Sequence, residues 1–399
     1  MKSIESGHGF LSAIKLTGAW NAPVTIKGSL LTVLGVLLVT YAFFPSESSA
    51  ERFALAVRTG AFGLMTAVAV IFGSASKRLL SYIPWVIFLF VFAVVLANVP
   101  SFPPRVVNLV GTIVLAALVV TFIADAEGER FFRDVISLLL FLSAAAVFFQ
   151  VIYYFISGDI VDIHQFFFPW GGSRSGELEK FGIARLSGMH TEPGTHSVYT
   201  FGLIVLRVFL GGRLFDRVSW ISVVSIALTL SAWGVGVVFL YFLSYLFYAV
   251  RVGKWLRELI GGFCLVVFCL VLFFMFAPQY LADNIFEYFQ FRSQLSDGSG
   301  NSKIIAWHMG LVRLNEVAFV GIPVVLDYCD GCLSPQDAGL ILNFSLYFGL
   351  FSGFVFFGVY LFGVFRAGGV AFALFGLPFL FSKFFYFDPI VWVVFFAAF

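Results

Sequence analysis

Long apolar runs, separated by shorter polar segments, dominate the pattern of hydrophobic and polar positions along the chain. A run of about 20 apolar residues is long enough to cross the hydrocarbon core of a bilayer as an α-helix. The pattern therefore predicts an all-α, polytopic integral membrane protein with a single transmembrane domain over residues 1–399. The twelve predicted spans are 28–44, 53–73, 79–99, 106–124, 135–157, 197–211, 218–231, 233–250, 257–277, 338–364, 368–382 and 385–399.

The stretch 218–250 needs two spans instead of one. A single helix of its 33 residues would be about 50 Å long, which exceeds an ordinary span. The segment Thr229–Gly234, with the sequence TLSAWG, offers a turn, so we predict two short helices that meet there. The last predicted span carries Asp388 and Pro389, which favours a kinked or partly interfacial helix.

Composition and charge exclude a soluble protein. The chain is 60% hydrophobic and 12% charged, with a mean hydropathy of +0.99, whereas a soluble domain carries about 25% charged residues. With the N-terminus inside, most Lys and Arg fall on the inner side, and the short outer loops hold Arg52, Arg105 and Lys383. This positive-inside bias places two long polar loops, 158–196 and 278–337, outside. Nothing in the charge pattern indicates a nucleic-acid partner.

Ionisable side chains concentrate in the first long loop, between Arg174 and His196. His190, Glu192 and His196 are its candidate acid–base groups. Pro193 restricts the residue before it to extended backbone, which would hold the Glu192 carboxylate at the mouth of the sixth span. Glu192 is therefore the candidate general base, with His190 as the alternative. For His196, the competing interpretation is a helix-terminal residue with a satisfied hydrogen bond.

Basic residues near the outer face are candidate anion ligands, because a guanidinium offers planar, bidentate donors to a phosphate. The candidates are Arg58, Arg174, Arg185, Arg292 and Lys303. Ion pairing on a solvated loop competes with this role for Arg174, and snorkelling to the membrane surface competes with it for Arg58. Arg207, near the inner end of the sixth span, is expected to snorkel inward.

The second long loop contains an amphipathic helix by pattern. Lys303, Trp307, Gly310 and Leu311 recur at helical spacing and predict one shared face. Asp337 then opens the tenth predicted span. The two long loops together hold most of the chemistry that the outer face offers.

These features resemble the O-antigen polymerase and O-antigen ligase family, bacterial inner-membrane enzymes that handle undecaprenyl-diphosphate-linked sugars. The resemblance covers residues 170–360 and the predicted layout of spans. It rests on Arg185 followed by Glu192-Pro193, on TLS at Thr229–Ser231, on Lys303 and Trp307 before Val320-Gly321, and on Asp337 before Gly349-Leu350 and Gly353.

Three positions depart from the family pattern. Ala232 stands where the family often has Arg after the T-x-S turn, and Lys303 stands where it usually has Arg. Ligases typically carry a His-Asn pair before the late span, whereas this chain has Gln336 and Asp337. The last difference favours a polymerase over a ligase. The missing Arg leaves one diphosphate contact to another cation, which would be Arg292, Arg185 or Arg58.

The resemblance implies a GT-C-like glycosyltransferase of the bacterial inner membrane, with a cytoplasmic N-terminus and a periplasmic active site. It would join lipid-linked oligosaccharide repeat units, with undecaprenyl diphosphate as the leaving group. Glu192, or else His190, would take the acceptor proton. The residues expected to hold the diphosphate and the glycan are Arg58, Arg174, Arg185, Arg292, Lys303 and Asp337. No metal or other cofactor is expected, and membrane lipid and a chain-length regulator protein are expected partners.

Two other functions stay open at the level of sequence. An O-antigen ligase would differ only in its acceptor. A polysaccharide transporter or flippase would need charged groups along a path at the bilayer midplane, and often inverted repeats. The ionisable residues cluster instead in the outer loops, and no internal repeat is visible, so an enzyme is the favoured interpretation.

Overall fold

The fold is helical throughout the part of the chain that the computed structural model describes. That part comprises residues 26–44, 51–72, 103–123, 126–170, 177–178, 183–251, 253, 287, 290, 298–314, 335–384 and 388–398. Its helices are α1 (Ile26–Phe43), α2 (Glu51–Phe72), α3 (Pro103–Phe122), α4 (Ala126–Ser157), α5 (Ile163–Phe167), α6 (Pro193–Phe209), α7 (Arg217–Leu228), α8 (Ala232–Arg251), α9 (Gly298–Leu314), α10 (Leu340–Phe348), α11 (Leu350–Gly376) and α12 (Pro389–Ala397). Two 3-10 helices, Pro335–Ala338 and Leu377–Phe381, and one antiparallel pair of two-residue strands, β1 (Glu177–Leu178) and β2 (Ile183–Ala184), complete it.

The apolar helices are those of a membrane-embedded protein. Within the described residues, three segments are long and apolar enough to cross a membrane: Glu127–Ser157, Ala232–Arg251 and Leu350–Phe381. Shorter apolar helices occupy Leu31–Phe43, Ala56–Ile71, Leu109–Phe122 and Arg217–Leu228. The predicted spans 79–99 and 257–277 lie outside the described residues, so the number of twelve stays a prediction.

Helix α6 forms the centre of the assembly. Pro193 occupies its first turn, where the missing N–H of proline costs no helical hydrogen bond. Every residue from His196 to Val208 is buried, so the helix is enclosed by neighbours on all sides. It packs against α4, α7, α8 and α12. The predicted sixth span is therefore an interior helix, and the residues at its two ends lie inside the protein.

The predicted break between the seventh and eighth spans is confirmed. Helix α7 ends at Leu228 and α8 begins at Ala232, with Leu230 at φ 51° between them. Trp220 on α7 lies edge-on to Tyr241 and Tyr245 on α8, with ring centroids 4.9 and 5.5 Å apart. Trp220 and Tyr241 lie at nearly equal distances along the chain before and after the turn, so α7 and α8 form an antiparallel hairpin.

The predicted span 338–364 is wrong, because Gly349 divides it. Gly349 has φ 86° and ψ 154°, a backbone conformation that glycine adopts without steric cost. Helix α10 before it has nine residues and a length of about 14 Å, too short to cross a bilayer. Its residues from Leu342 to Phe348 are all buried, and it packs on α11 through stacked Phe344 and Phe356.

A second glycine reverses the chain inside α11. Gly369 is non-helical, with φ 64° and ψ −155°. Tyr360, which precedes Gly369, contacts residues that follow it. Its hydroxyl donates to the Gly376 carbonyl at 2.9 Å, and its ring stacks on Phe379. The two arms of Leu350–Phe381 therefore run antiparallel, and this long apolar segment is two shorter ones. The predicted boundary between 364 and 368 falls within five residues of the observed reversal.

Arg207 ties three helices together at the end of α6 opposite Pro193. Its guanidinium donates to Ser137 on α4, to Ser219 on α7, to the Arg213 carbonyl and to both carboxylate oxygens of Asp216. Its side chain is 7% exposed. The expectation that Arg207 snorkels to the surface is wrong, because the half-buried carboxylate of Asp216 and neutral acceptors satisfy the guanidinium inside the protein.

Replacing Arg207 with Met is expected to lower the free energy of unfolding by about 3 kcal/mol, because Asp216 is left without its cation. Denaturant unfolding of the purified protein in detergent measures the change. Arg130, an exposed residue near the start of α4, provides the control, and Arg130→Met is expected to change stability by less than about 0.5 kcal/mol. The double variant Arg207→Met/Asp216→Leu should recover most of the loss. If Arg207→Met were as stable as the unaltered protein, the ion pair between Arg207 and Asp216 would not stabilise the fold.

Candidate functional site

The candidate general base lies at the N-terminus of α6. Glu192 is the N-cap residue and has extended backbone, with φ −147° and ψ 158°. The conformation predicted from Pro193 is therefore confirmed. The Glu192 side chain is half-buried, and the Thr195 hydroxyl donates to its Oε1 at 3.3 Å. A carboxylate that is partly open to its surroundings can reach a ligand without movement of the fold.

His190 is fully buried behind Glu192. Its ring lies 4.1 Å from Phe44, 5.1 Å from His196 and 6.1 Å from Tyr199, measured between centroids. Burial lowers the pKa of His190 well below its ordinary value, and the neighbouring imidazoles of His196 and His164 lower it further. The imidazole is therefore neutral at pH 7. Of the two candidate bases, Glu192 is therefore the more accessible.

His164 fixes the loop that carries His190. Its Nδ1 lies 2.9 Å from the Met189 carbonyl oxygen, so Nδ1 carries the proton of this hydrogen bond. Its ring stacks on Phe168 with centroids 4.8 Å apart. No signal in the sequence spacing indicated this contact. It positions the backbone next to the candidate site.

The stability of the protein is expected to fall as the pH drops below about 6.5, because unfolded His190 would bind a proton that the folded protein excludes. The loss continues until the pH reaches the lowered pKa of folded His190, whose neighbours are His164, His196 and Tyr199. His190→Asn should reduce the slope of stability against pH by up to about 1.4 kcal/mol per pH unit. Denaturant unfolding of both proteins from pH 5 to 8 measures this slope. If His190→Asn left the slope unchanged, His190 would not be the group that makes stability depend on pH.

Arg58 is paired inside the protein at the same end. Its Nη2 lies 2.6 Å from Asp388 Oδ1, and its Nε donates to the Ala42 carbonyl at 3.2 Å. Tyr199 lies beside both charged groups. Asp388 is the N-cap of α12. From the sequence, Arg58 was expected near the outer face, and Asp388 was taken only as a sign of a kinked helix. A carboxylate at the start of an apolar run was a signal that could have indicated an ion pair.

Asp337 lies in a second charged cluster with Lys383. Lys383 Nζ is 2.8 Å from Asp337 Oδ1, and the Ser302 hydroxyl donates to Asp337 Oδ2 at 3.3 Å. Lys303 follows Ser302 on α9 and is half-buried. Lys383 had been assigned only to an outer loop by its charge. The structure thus brings Asp337 close to the helix of Lys303.

The packing face of α9 differs from the predicted one. Ser302, Ala306 and Gly310 are buried, whereas Leu311 is half exposed. A Cβ on Gly310 would lie 2.8 Å from the Leu342 side chain, so small residues allow α9 to approach α10 closely. The predicted face through Leu311 is wrong because close packing of small side chains decides the orientation, and the larger apolar residues face outward.

The chain around Phe381 to Asp388 connects the clusters. Trp307 on α9 stacks on Phe381 with centroids 6.2 Å apart, and Tyr199 on α6 lies 4.9 Å from Phe384. Lys383 and Asp388 on the same stretch make the two ion pairs described above. Glu192, His190, Arg58, Lys303 and Asp337 are therefore gathered at one end of the helical assembly.

Buried hydroxyls lock the start of α6 to the turn between α7 and α8. Ser197 Oγ lies 2.7 Å from Ser231 Oγ and 3.1 Å from Thr229 Oγ1. The Gly234 N–H donates to Ser231 Oγ at 2.9 Å and caps α8. All three hydroxyls are buried. The TLS turn therefore positions helix ends and does not face a ligand.

Helices α6, α10 and α12 begin at this end, at Pro193, Leu340 and Pro389. The start of α8 at Ala232 is capped by buried Ser231 and faces the interior. The Leu340 N–H donates to the Ser382 carbonyl, next to Lys383, and Glu192, Gly339 and Asp388 make no side-chain capping bond to their helices. Helix N-termini carry partial positive charge and free N–H groups, so they favour anions. The arrangement can bind an anionic group beside a carboxylate that accepts a proton.

Two of the predicted anion ligands cannot be placed. Arg174 and Arg292 lie outside the described residues, as do Val320-Gly321. Arg185 is described and half-buried, directly after strand β2. Within the described part of the chain, no group of three or more His, Cys, Asp or Glu side chains could hold a metal ion.

No protein-family model, curated protein or solved structure matches this chain. The resemblance to the O-antigen polymerase and ligase family therefore stays a hypothesis that rests on the motifs. The described fold and apolar helices define the class as a helical, membrane-embedded protein. The assignment of a function depends on the geometry at the start of α6.

Proposed function

We propose that this chain is a membrane-embedded glycosyltransferase that polymerises oligosaccharide repeat units carried on undecaprenyl diphosphate, on the periplasmic side of a bacterial inner membrane. One observation carries the proposal. The half-buried carboxylate of Glu192, basic residues and the N-termini of α6, α10 and α12 lie at one end of the assembly. A reaction with an anionic leaving group needs such a combination of positive potential and base.

The positive potential would act on the leaving diphosphate. When the glycosidic bond to the diphosphate breaks, negative charge grows on its oxygens. Preorganised donors aimed at such charge are often worth several kcal/mol, about 10²–10³ in rate for one donor. Arg58 and Lys383 each already have one carboxylate partner. An incoming diphosphate would share these cations with Asp388 and Asp337, which would keep the resting site close to neutral.

Glu192 would act as the general base. It would take the proton from the acceptor hydroxyl as the sugar oxygen attacks the donor carbon. Its half-buried state at the N-terminus of α6 leaves it reachable. His190 lies behind it and is fully buried. This difference in access is the reason to prefer Glu192 over His190.

Deleting the gene in its host and analysing lipid-linked and surface glycans by gel and mass spectrometry tests the function. Loss of long polymer, with single repeat units still on the final carrier, is the expected result. Long polymer retained on undecaprenyl diphosphate would indicate that the protein is a ligase instead of a polymerase. Single lipid-linked units confined to the inner leaflet would contradict both enzymes and indicate a flippase.

A further inference from the structure

Four buried polar side chains belong to α4, to α6 and to the turn Ser187–His190, which packs against both helices. They are Ser143, Ser187, His190 and His196, and all are fully buried. Their polar atoms Ser143 Oγ, Ser187 Oγ, both ring nitrogens of His190 and His196 Nδ1 make no hydrogen bond to any residue that the structure describes. Buried polar groups are almost always paired, either with protein atoms or with ordered water.

Gly188 brings these groups to one place. The turn is closed by the His190 N–H, which donates to the Ser187 carbonyl at 3.1 Å, and Gly188 within it has φ +60°. A Cβ at Gly188 would lie 3.4 Å from His196 Nδ1 and 3.3 Å from the Ser143 carbonyl oxygen. Because glycine has no side chain, the turn approaches Val147 and Ser143 on α4 and His196 on α6 closely. The rings of His190 and His196 lie 5.1 Å apart between centroids.

The tautomer of His196 follows from its other nitrogen. The Ser225 hydroxyl uses its one proton to donate to the Ser222 carbonyl at 2.7 Å. Ser225 must then accept from His196 Nε2, which lies 3.1 Å away. The Thr200 hydroxyl, 3.4 Å from the same nitrogen, can accept as well. His196 therefore carries its proton on Nε2, and Nδ1 is a bare acceptor that faces the turn.

We propose that these side chains form a binding site for ordered water that links His190 to His196. A water needs two to four polar partners, and the four side chains supply them. One ring nitrogen of His190 donates to the water, and the water donates to His196 Nδ1. The serine hydroxyls complete its hydrogen bonds. This water site rests on the geometry alone.

Solid-state NMR of the full-length protein in lipid bilayers, with ¹⁵N-labelled histidine, tests the water site without any turnover. The chain has five histidines, and exposed His308 serves as the reference for contact with water. Magnetisation from water should reach the rings of His190 and His196 much sooner than the methyl groups of Val205, which is buried further along α6. His196 should show a protonated Nε2 and a bare Nδ1. Transfer to both rings as slow as to Val205, or a protonated Nδ1 on neutral His196, would overturn the proposal.

Matched serine variants sharpen the result. Ser225→Ala removes the acceptor of His196 Nε2–H, so the dominance of that tautomer should be lost. Ser187→Ala should slow the transfer from water to His190, whereas Ser157→Ala, at an exposed position on α4, should leave it unchanged. If either variant fails to fold, the spectrum of the unaltered protein still decides.

Discussion

Glu192→Gln is expected to lower polymer synthesis by about 100-fold or more, because an amide cannot accept the proton of the sugar hydroxyl. The substitution keeps the size of the side chain, and Thr195 can still donate to the remaining carbonyl oxygen at this position. The fold at the start of α6 should therefore survive. Purified protein in liposomes, supplied with oligosaccharides on undecaprenyl diphosphate, gives the measurement through the long products on a gel.

Asp159→Asn provides the control for this substitution. Asp159 is an exposed carboxylate in the same predicted loop and takes no part in the candidate site, so synthesis should be unchanged. Thr195→Val removes the one described hydrogen bond to Glu192 and should cause a smaller loss than Glu192→Gln. Full synthesis by the Glu192→Gln variant would show that another group takes the proton.

A local signal in the sequence predicted the helix break between α7 and α8. The TLS turn interrupts an apolar run and is visible by inspection. Gly349 was missed because the residues around it are uniformly apolar and a lone glycine is tolerated in a helix. The extended backbone of Glu192 was predictable because proline restricts its predecessor sterically, whatever the surrounding fold.

The ion pairs could not be predicted because they join distant parts of the chain. Arg58 and Asp388 are 330 positions apart, and no periodicity relates them. Arg207 was expected to snorkel because its partner Asp216, at the start of the next helix, can be identified only when the helix packing is known. The face of α9 was misplaced by one residue for the same reason, since hydrophobic spacing does not show which neighbour a helix approaches closely. The water site depends on tertiary contacts throughout.

The double variant Arg58→Met/Asp388→Asn is expected to fold almost as stably as the unaltered protein but to lose about 100-fold or more in polymer synthesis. Arg58→Met alone leaves the Asp388 carboxylate buried without its cation, which should lower the free energy of unfolding by about 3 kcal/mol. Neutralising both partners removes that penalty. It also removes the cation that would share the charge of the leaving diphosphate.

The comparison of stability with synthesis separates the two roles of Arg58. Unfolding midpoints and liposome synthesis are measured on the two single variants and the double variant. Arg207→Met/Asp216→Leu, which neutralises the buried pair at the opposite end, is the matched control and should keep its synthesis. Recovery of both stability and synthesis in the Arg58/Asp388 double variant would mean that this pair only holds α2 to α12. Recovery of stability alone would mean that Arg58 acts on the substrate, because the same neutralisation at Arg207 leaves synthesis intact.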